Sequence, residues 1–106
     1  MSEQPLVSKA FQTFMTDAPQ HAQAWGAMTQ ALANASALEK KTAALAYLAV
    51  LAALRLESGV PFHVKGAKQV GASRDEIISA ILIGLPAAGN VVTQVLPIAL
   101  AAYDAD

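Results

Sequence analysis

The chain has 106 residues and a net charge of −1 at neutral pH; 55% of its residues are hydrophobic and 14% are charged. Typical soluble domains are about 45–50% apolar and about 25% charged, so this composition excludes disorder and leaves apolar surface that a small monomer cannot bury. No basic block is present and cysteine is absent, which excludes a nucleic-acid partner, disulfides and thiolate sites.

Start and stop signals divide the chain into about six predicted helices, so the predicted fold class is all-α. Asp17 is interpreted as an N-cap ahead of Pro19, and residues 36–39 and 73–76 are interpreted as capping boxes. Gly59 is interpreted as a stop signal. The predicted helices span about 5–16, 19–33, 37–57, 61–70, 74–85 and 91–103, the last with a kink at Pro97.

Two uncharged stretches, residues 42–54 and 77–103, are candidates for membrane-spanning segments. The first is shorter than the roughly 20 residues of a span, and glycines, prolines and Asn90 interrupt the second, which predicts two short buried helices. The helix at 37–57 is apolar all round in its middle and is predicted to be buried on every side. The amino end lacks an apolar segment preceded by positive charge. We therefore expect a cytoplasmic protein, one domain over residues 1–106, with no membrane partner.

His63 is the first candidate for chemistry, because its imidazole shares an otherwise apolar helical face with Gly66 and Ala67. Histidine exchanges protons near neutral pH, and the small neighbours predict that the ring points inward and borders a cavity. The alternative is a core histidine whose nitrogens are satisfied by backbone or water. For His21, on a similar stripe, the structural interpretation is favoured. Two distant histidines without a paired acidic motif predict no metal site, and we expect no cofactor.

Arg55, Glu57 and Ser58 cluster at the end of the long helix, just before the turn that carries His63. Their position predicts that they orient the histidine or bind a carboxylate substrate. The alternative for Arg55 is that a cation near a helix C-terminus simply suits the helix dipole. Polar residues within apolar helices, which could line a pocket, are Tyr47, Thr93 and Gln94.

Several segments resemble the carboxymuconolactone decarboxylase family, which shares its fold with the alkylhydroperoxidase D-like proteins. The segments are residues 38–42, 62–67 and 71–77, within a similarity that covers about 36–103. The pattern His-x-x-x-Ala-x-x-x-Gly-x-x-x-x-Glu-Ile runs from His63 to Ile77. The resemblance implies an all-helical domain that self-associates as a trimer or hexamer, which agrees with the excess of apolar residues.

The resemblance implies function less directly. The peroxidase branch uses a Cys-x-x-Cys pair, here Leu56 and Gly59, and a glutamate, here Ala44; without a thiolate, a thiol peroxidase cycle is excluded. The decarboxylase branch also lacks the cysteines, but it has a second histidine where residues 57–61 have none. The resemblance implies lyase-type acid–base chemistry on a small carboxylated molecule with His63. The alternatives are a non-catalytic oligomeric binding or structural relative and, third, a redox protein.

Overall fold

A computed structural model describes residues 7–105, and this part of the chain is helical, with no strand. The all-α prediction is confirmed. The helices are α1 (Lys9–Asp17), α2 (Pro19–Ala35), α3 (Lys40–Leu54), α4 (Val60–Gln69), α5 (Arg74–Leu82), α6 (Leu85–Ala88) and α7 (Leu96–Asp104). Short 3-10 segments, Glu57–Gly59 and Gly89–Val95, precede α4 and α7. The chain divides into two compact units, Met1–Leu38 and Glu39–Asp106; the expectation of a single domain stays a prediction.

The first unit contains α1 and α2, which aromatic side chains hold together. The Ser8 hydroxyl caps α1 by accepting a hydrogen bond from the N–H of Phe11. The ring centroid of Trp25, on α2, lies 5.1 Å from that of Phe11 and 6.5 Å from that of Phe14, both on α1. No residue of either helix is fully buried. The side chains that hold this unit together are therefore exposed or half-exposed. The start of the first predicted helix, at residues 5 and 6, lies outside the described residues.

Two predicted helix caps in this part of the chain are wrong. Asp17 is the last residue of α1, and Ala18 precedes Pro19, which begins α2 as expected. The box at residues 36–39 does not form because Glu39 itself caps α3. Its carboxylate accepts hydrogen bonds from the N–H of Thr42 at 2.8 Å and from the Thr42 hydroxyl at 2.7 Å. The second predicted box, at residues 73–76, is confirmed and begins α5.

The core of the second unit comes from one side of each of its helices. The fully or nearly buried side chains are Leu48, Leu51, Ala52, Val60, Val64, Ala67, Ala72, Ile77, Ile81, Val92, Val95, Ala99 and Ala102. Burying one such leucine, isoleucine or valine stabilises the fold by about 1.5–3 kcal/mol. The alanines among them let the helices approach closely. Polar contacts join the elements at the rim: Lys41 pairs with Glu76 at 3.1 Å, and the Tyr103 hydroxyl donates to the carbonyl of Ala72 at 3.0 Å.

The prediction that the long helix is buried on every side is wrong. Leu48, Leu51 and Ala52 face the core, whereas Val50 and Leu54 are 51% and 62% exposed. The other helices of the second unit pack on one side of α3 only, and this leaves an apolar face open to solvent. Exposed apolar side chains, as expected from the composition, are thus present, and some of them lie on α3.

The end of the chain also differs from the prediction. Residues 91–95 belong to the 3-10 segment, and Pro97 lies in the first turn of α7, where its missing N–H interrupts no helical hydrogen bond. The expected kink at Pro97 is therefore absent. The helical run Arg74–Asp104 is long and apolar enough to cross a membrane by length and composition, with 17% of its most apolar window buried. The run is weak support for a membrane span, because α5 and α7 both supply the core of the second unit.

Helices α3 and α4 end in the same backbone motif with different residues at its critical position. After α3, the N–H groups of Arg55 and Leu56 donate to the carbonyls of Ala52 and Leu51, and Arg55 has a φ of 56°. After α4, Gly71 takes the corresponding place with a φ of 101°. This is the Schellman motif, whose positive-φ position favours glycine. Helix α3 therefore ends before the predicted stop at Gly59, because Arg55 adopts the left-handed conformation.

Substitutions at these two positions should change stability in opposite directions. Gly71→Ala should lower the free energy of unfolding by about 1 kcal/mol, because alanine is strained at positive φ. Arg55→Gly should raise it by up to about 1 kcal/mol, since the exposed ion pair that it loses contributes little. Urea denaturation followed by circular dichroism measures both. The same sign of change for the two variants would contradict the assignment.

Candidate functional site

His63 lies at the edge of the buried side of α4. The stripe that faces the core consists of Val60, Val64 and Ala67, all fully buried. His63 is one position before Val64 on this helix and is partly buried. The ring was expected to point inward; it is only partly buried, because residues 60, 64 and 67 form the stripe that faces the core and His63 lies on its flank. The predicted cavity beside the ring stays a prediction.

The neighbours of the His63 ring are apolar or aromatic. Its centroid lies 4.7 Å from that of the Tyr47 ring, on α3, and 5.2 Å from that of the Phe62 ring. A Cβ atom built on Gly59 would lie 4.0 Å from Cδ2 of His63, so the backbone of the preceding turn also borders the ring. We find no hydrogen bond or ion pair between His63 and any other described residue.

This environment alters the protonation of His63. Burial lowers the pKa of the imidazole below its ordinary value, because removing water disfavours the charged form. No charge from a neighbouring side chain contributes to the shift. The ring is therefore predominantly neutral at neutral pH. One nitrogen of the neutral ring then accepts a hydrogen bond and the other donates one.

The structure brings Arg55 and Glu57 together beside the turn that leads into α4. The Arg55 guanidinium Nη2 lies 3.2 Å from Oε2 of Glu57, and the two side chains are 51% and 34% exposed. Ser58 is exposed on the same turn. No hydrogen bond or ion pair within the described residues joins any of the three to His63, so their predicted role in orienting the histidine finds no contact here. Their predicted role in binding a carboxylate stays a prediction.

Among the described residues other than glycine, Arg55 is the one whose φ is positive. A left-handed conformation costs roughly 1 kcal/mol or more outside glycine, and such positions cluster at functional sites. An arginine here projects its guanidinium from the C-terminus of α3 immediately before the turn that borders His63. The backbone therefore places the cation at this turn at some cost in stability.

Other candidate residues lie elsewhere. His21 is exposed on α2, in the first unit, so its interpretation as a core histidine is wrong. The Thr93 hydroxyl donates to the carbonyl of Asn90 within its own turn, and Gln94 is exposed. Within residues 7–105, no group of three histidine, aspartate or glutamate side chains could hold a metal ion. The sequence indicated Tyr47 only as a residue that could line a pocket, and a lone tyrosine in an apolar helix was the available signal.

The first unit contains an open groove that the sequence did not indicate. Its volume is about 380 Å³, and its lining residues are Phe11, Met15, Pro19, Ala22, Gln23, Trp25 and Gly26. None of these side chains is titratable. The groove can accommodate an apolar group but offers no acid or base.

The sequence model of the carboxymuconolactone decarboxylase family matches residues 19–101, from the start of α2 into α7. The chain belongs to the carboxymuconolactone decarboxylase family. Comparisons with curated proteins and with solved structures found no match. Family membership agrees with the all-helical fold, and the match extends toward the amino end beyond the similarity noted from residue 36. The matched segment contains both histidines, His21 and His63, and the chain has no cysteine.

Proposed function

We propose that this carboxymuconolactone decarboxylase family member is a lyase-type enzyme that acts on a small carboxylated molecule, with His63 as the proton carrier. One observation carries the proposal: His63 is a partly buried imidazole among apolar neighbours, with a lowered pKa and no polar partner found in the described chain. A structural histidine is usually held by hydrogen bonds. A ring whose nitrogens find no protein partner is free to exchange a proton with a bound molecule.

The chemistry of decarboxylation assigns His63 a defined step. When the bond between the carboxylate carbon and its neighbour breaks, the electron pair stays on the neighbouring carbon and CO₂ leaves. The imidazolium of His63 then donates a proton to that carbon and becomes neutral, so the reaction consumes one proton from solvent. Stabilising the developing negative charge lowers the barrier. The partial exposure of the ring allows it to be reprotonated after each turnover.

Arg55, Glu57 and Ser58 are the proposed substrate-binding residues. The half-exposed guanidinium of Arg55 can form two parallel hydrogen bonds with a carboxylate. Glu57, which now pairs with it, holds the guanidinium in place until an anionic substrate competes for the same donors. Ser58, exposed on the same turn, adds a hydroxyl that donates or accepts a hydrogen bond.

The pH dependence of the reaction tests this proposal. If the His63 imidazolium donates the proton, kcat/KM should fall tenfold per pH unit above the pKa of free His63, which lies below the usual value of about 6.5. The measurement is CO₂ release from a panel of small carboxylated lactones and keto acids, together with the NMR titration of His63. A rate independent of pH across the His63 titration would contradict the proposed role.

The same protein should not reduce hydroperoxides with dithiol reductants. Such a cycle needs a thiolate that forms a sulfenic acid and then a disulfide, and the chain contains no cysteine. The measurement is peroxide consumption by the purified, metal-free protein with a dithiol. Leu56→Cys combined with Gly59→Cys restores the spacing of the peroxidase branch and serves as a comparison. Turnover of the natural chain above background would contradict this prediction.

A second candidate function is a non-catalytic oligomeric binding or structural protein. The observation that favours it is the apolar face of α3, where Val50 and Leu54 are more than half exposed. Such a face suits a contact with another protein surface. The two candidates differ in what His63 does: in the non-catalytic protein, replacing His63 should mainly cost stability and should leave the assembly intact.

A further inference from the structure

Two aromatic rings lie beside the His63 imidazole. The Tyr47 ring is inclined at 55° to the imidazole, with the centroids 4.7 Å apart, and the Phe62 ring meets it edge-on at 86° and 5.2 Å. Tyr47 and Phe62 are 47% and 50% exposed, so each ring faces the imidazole as well as solvent. Phe62 is the chain neighbour of His63, whereas Tyr47 belongs to α3. The contact between Tyr47 and His63 therefore joins two helices.

The position of the imidazole depends on these contacts. No hydrogen bond found among the described residues sets the rotation of the His63 side chain, and its burial is only partial. Aromatic rings at this separation attract each other in inclined arrangements. Burial is the cause of the lowered pKa of His63, and Tyr47 is one of the side chains in contact with its ring.

We propose that Tyr47 is a positioning residue for His63: its ring, and not its hydroxyl, holds the imidazole at the edge of α4 and shields it from water. Only the catalytic consequence rests on the proposed function; the contact itself does not. If His63 carries the proton, the shielding by Tyr47 sets the pH at which the enzyme loses activity.

Charged side chains do not offer a competing explanation. The elements packed against α4 are α3, α7 and the turn Glu57–Gly59. Charged groups in or beside these elements form three ion pairs: Lys41 pairs with Glu76, Arg55 with Glu57, and Asp104 with Arg74. On α4 itself, Lys68 donates to the carbonyl of Tyr103, and Lys65 follows His63 by two positions. None of these charges contributes to the pKa of His63.

The test is an NMR titration of the two histidines in the full chain, without substrate. The variants are Tyr47→Ala, which removes the ring, and Tyr47→Phe, which removes only the hydroxyl. Val50→Ala is the matched control, because it shortens another half-exposed side chain of α3. His21, on α2, provides a second histidine signal that should be the same in every variant.

We expect Tyr47→Ala to raise the pKa of His63 toward its ordinary value and to change the ring-current shift of its carbon-bound protons, leaving only the part that Phe62 causes. Tyr47→Phe and Val50→Ala should retain both properties of the natural protein. If Tyr47→Ala loses helical signal in circular dichroism, Tyr47→Leu keeps apolar bulk without a ring and should still lose the part of the ring-current shift that Tyr47 causes.

Two results would overturn the proposal: His63 signals that are the same in Tyr47→Ala or Tyr47→Leu as in the natural protein, or a Tyr47→Phe variant that behaves like Tyr47→Ala. The first denies the contact, and the second assigns the effect to the hydroxyl. Neither result bears on whether His63 transfers protons, which the loss of CO₂ release on replacing His63 decides separately.

Discussion

Replacing His63 with alanine should lower the rate of CO₂ release by about 10²–10⁴-fold, the usual contribution of a positioned acid or base. The loss should appear mainly in kcat, because the proton is donated after the substrate has bound. The substitution should change the free energy of unfolding by only about 1 kcal/mol, since His63 is partly buried and no hydrogen bond to it is found in the described chain. The measurements are steady-state kinetics and urea denaturation of the same variant.

His21→Ala is the matched control for this experiment. His21 is the second histidine of the chain, and it is exposed on α2. Its replacement should leave CO₂ release within about twofold of the natural protein, as for other surface substitutions away from a site. A His63→Ala variant that retains the full rate would show that His63 does not carry the proton. A natural protein that releases no CO₂ from any carboxylated molecule of the panel would favour the non-catalytic candidate.

In solution the protein should be a homo-oligomer whose mass is a multiple of 11.0 kDa. The physical reason is the number of large apolar side chains left exposed, among them Leu54 at 62% and Ile83 at 71%, because contact with another subunit would remove such side chains from water. The measurements are light scattering at micromolar concentration and thermal melting over a range of concentrations. The melting temperature should rise with protein concentration, because association stabilises the folded chain by mass action.

The same experiment at high salt distinguishes the cause of association. Contacts between apolar faces should persist, since salt screens charge pairs and leaves apolar burial intact. A stable monomer of 11.0 kDa at micromolar concentration would contradict the prediction. It would also mean that the open face of α3 remains exposed to water.

The helical fold class and several helix boundaries could be predicted from local sequence. The box at residues 73–76 forms as expected, because its two side chains satisfy backbone groups within one turn and need no distant partner. Pro19 begins α2 and Pro61 lies in the first turn of α4 for a similarly local reason, the fixed φ of proline. The choice of His63 as a candidate for chemistry, and the exclusion of thiol chemistry, also followed from the sequence, because they depend on spacing and composition. Family membership followed from the same residues.

Only the tertiary structure decided which apolar residues are buried and what surrounds His63. The middle of α3 is apolar on every side, so its sequence does not distinguish Leu48, in the core, from Val50, in solvent; the packing of α4 and α5 against one side does. The contact between Tyr47 and His63 joins residues on different helices. No local spacing encodes that distance, because it depends on how two helices pack, and the resulting loss of water around the imidazole is what lowers its pKa.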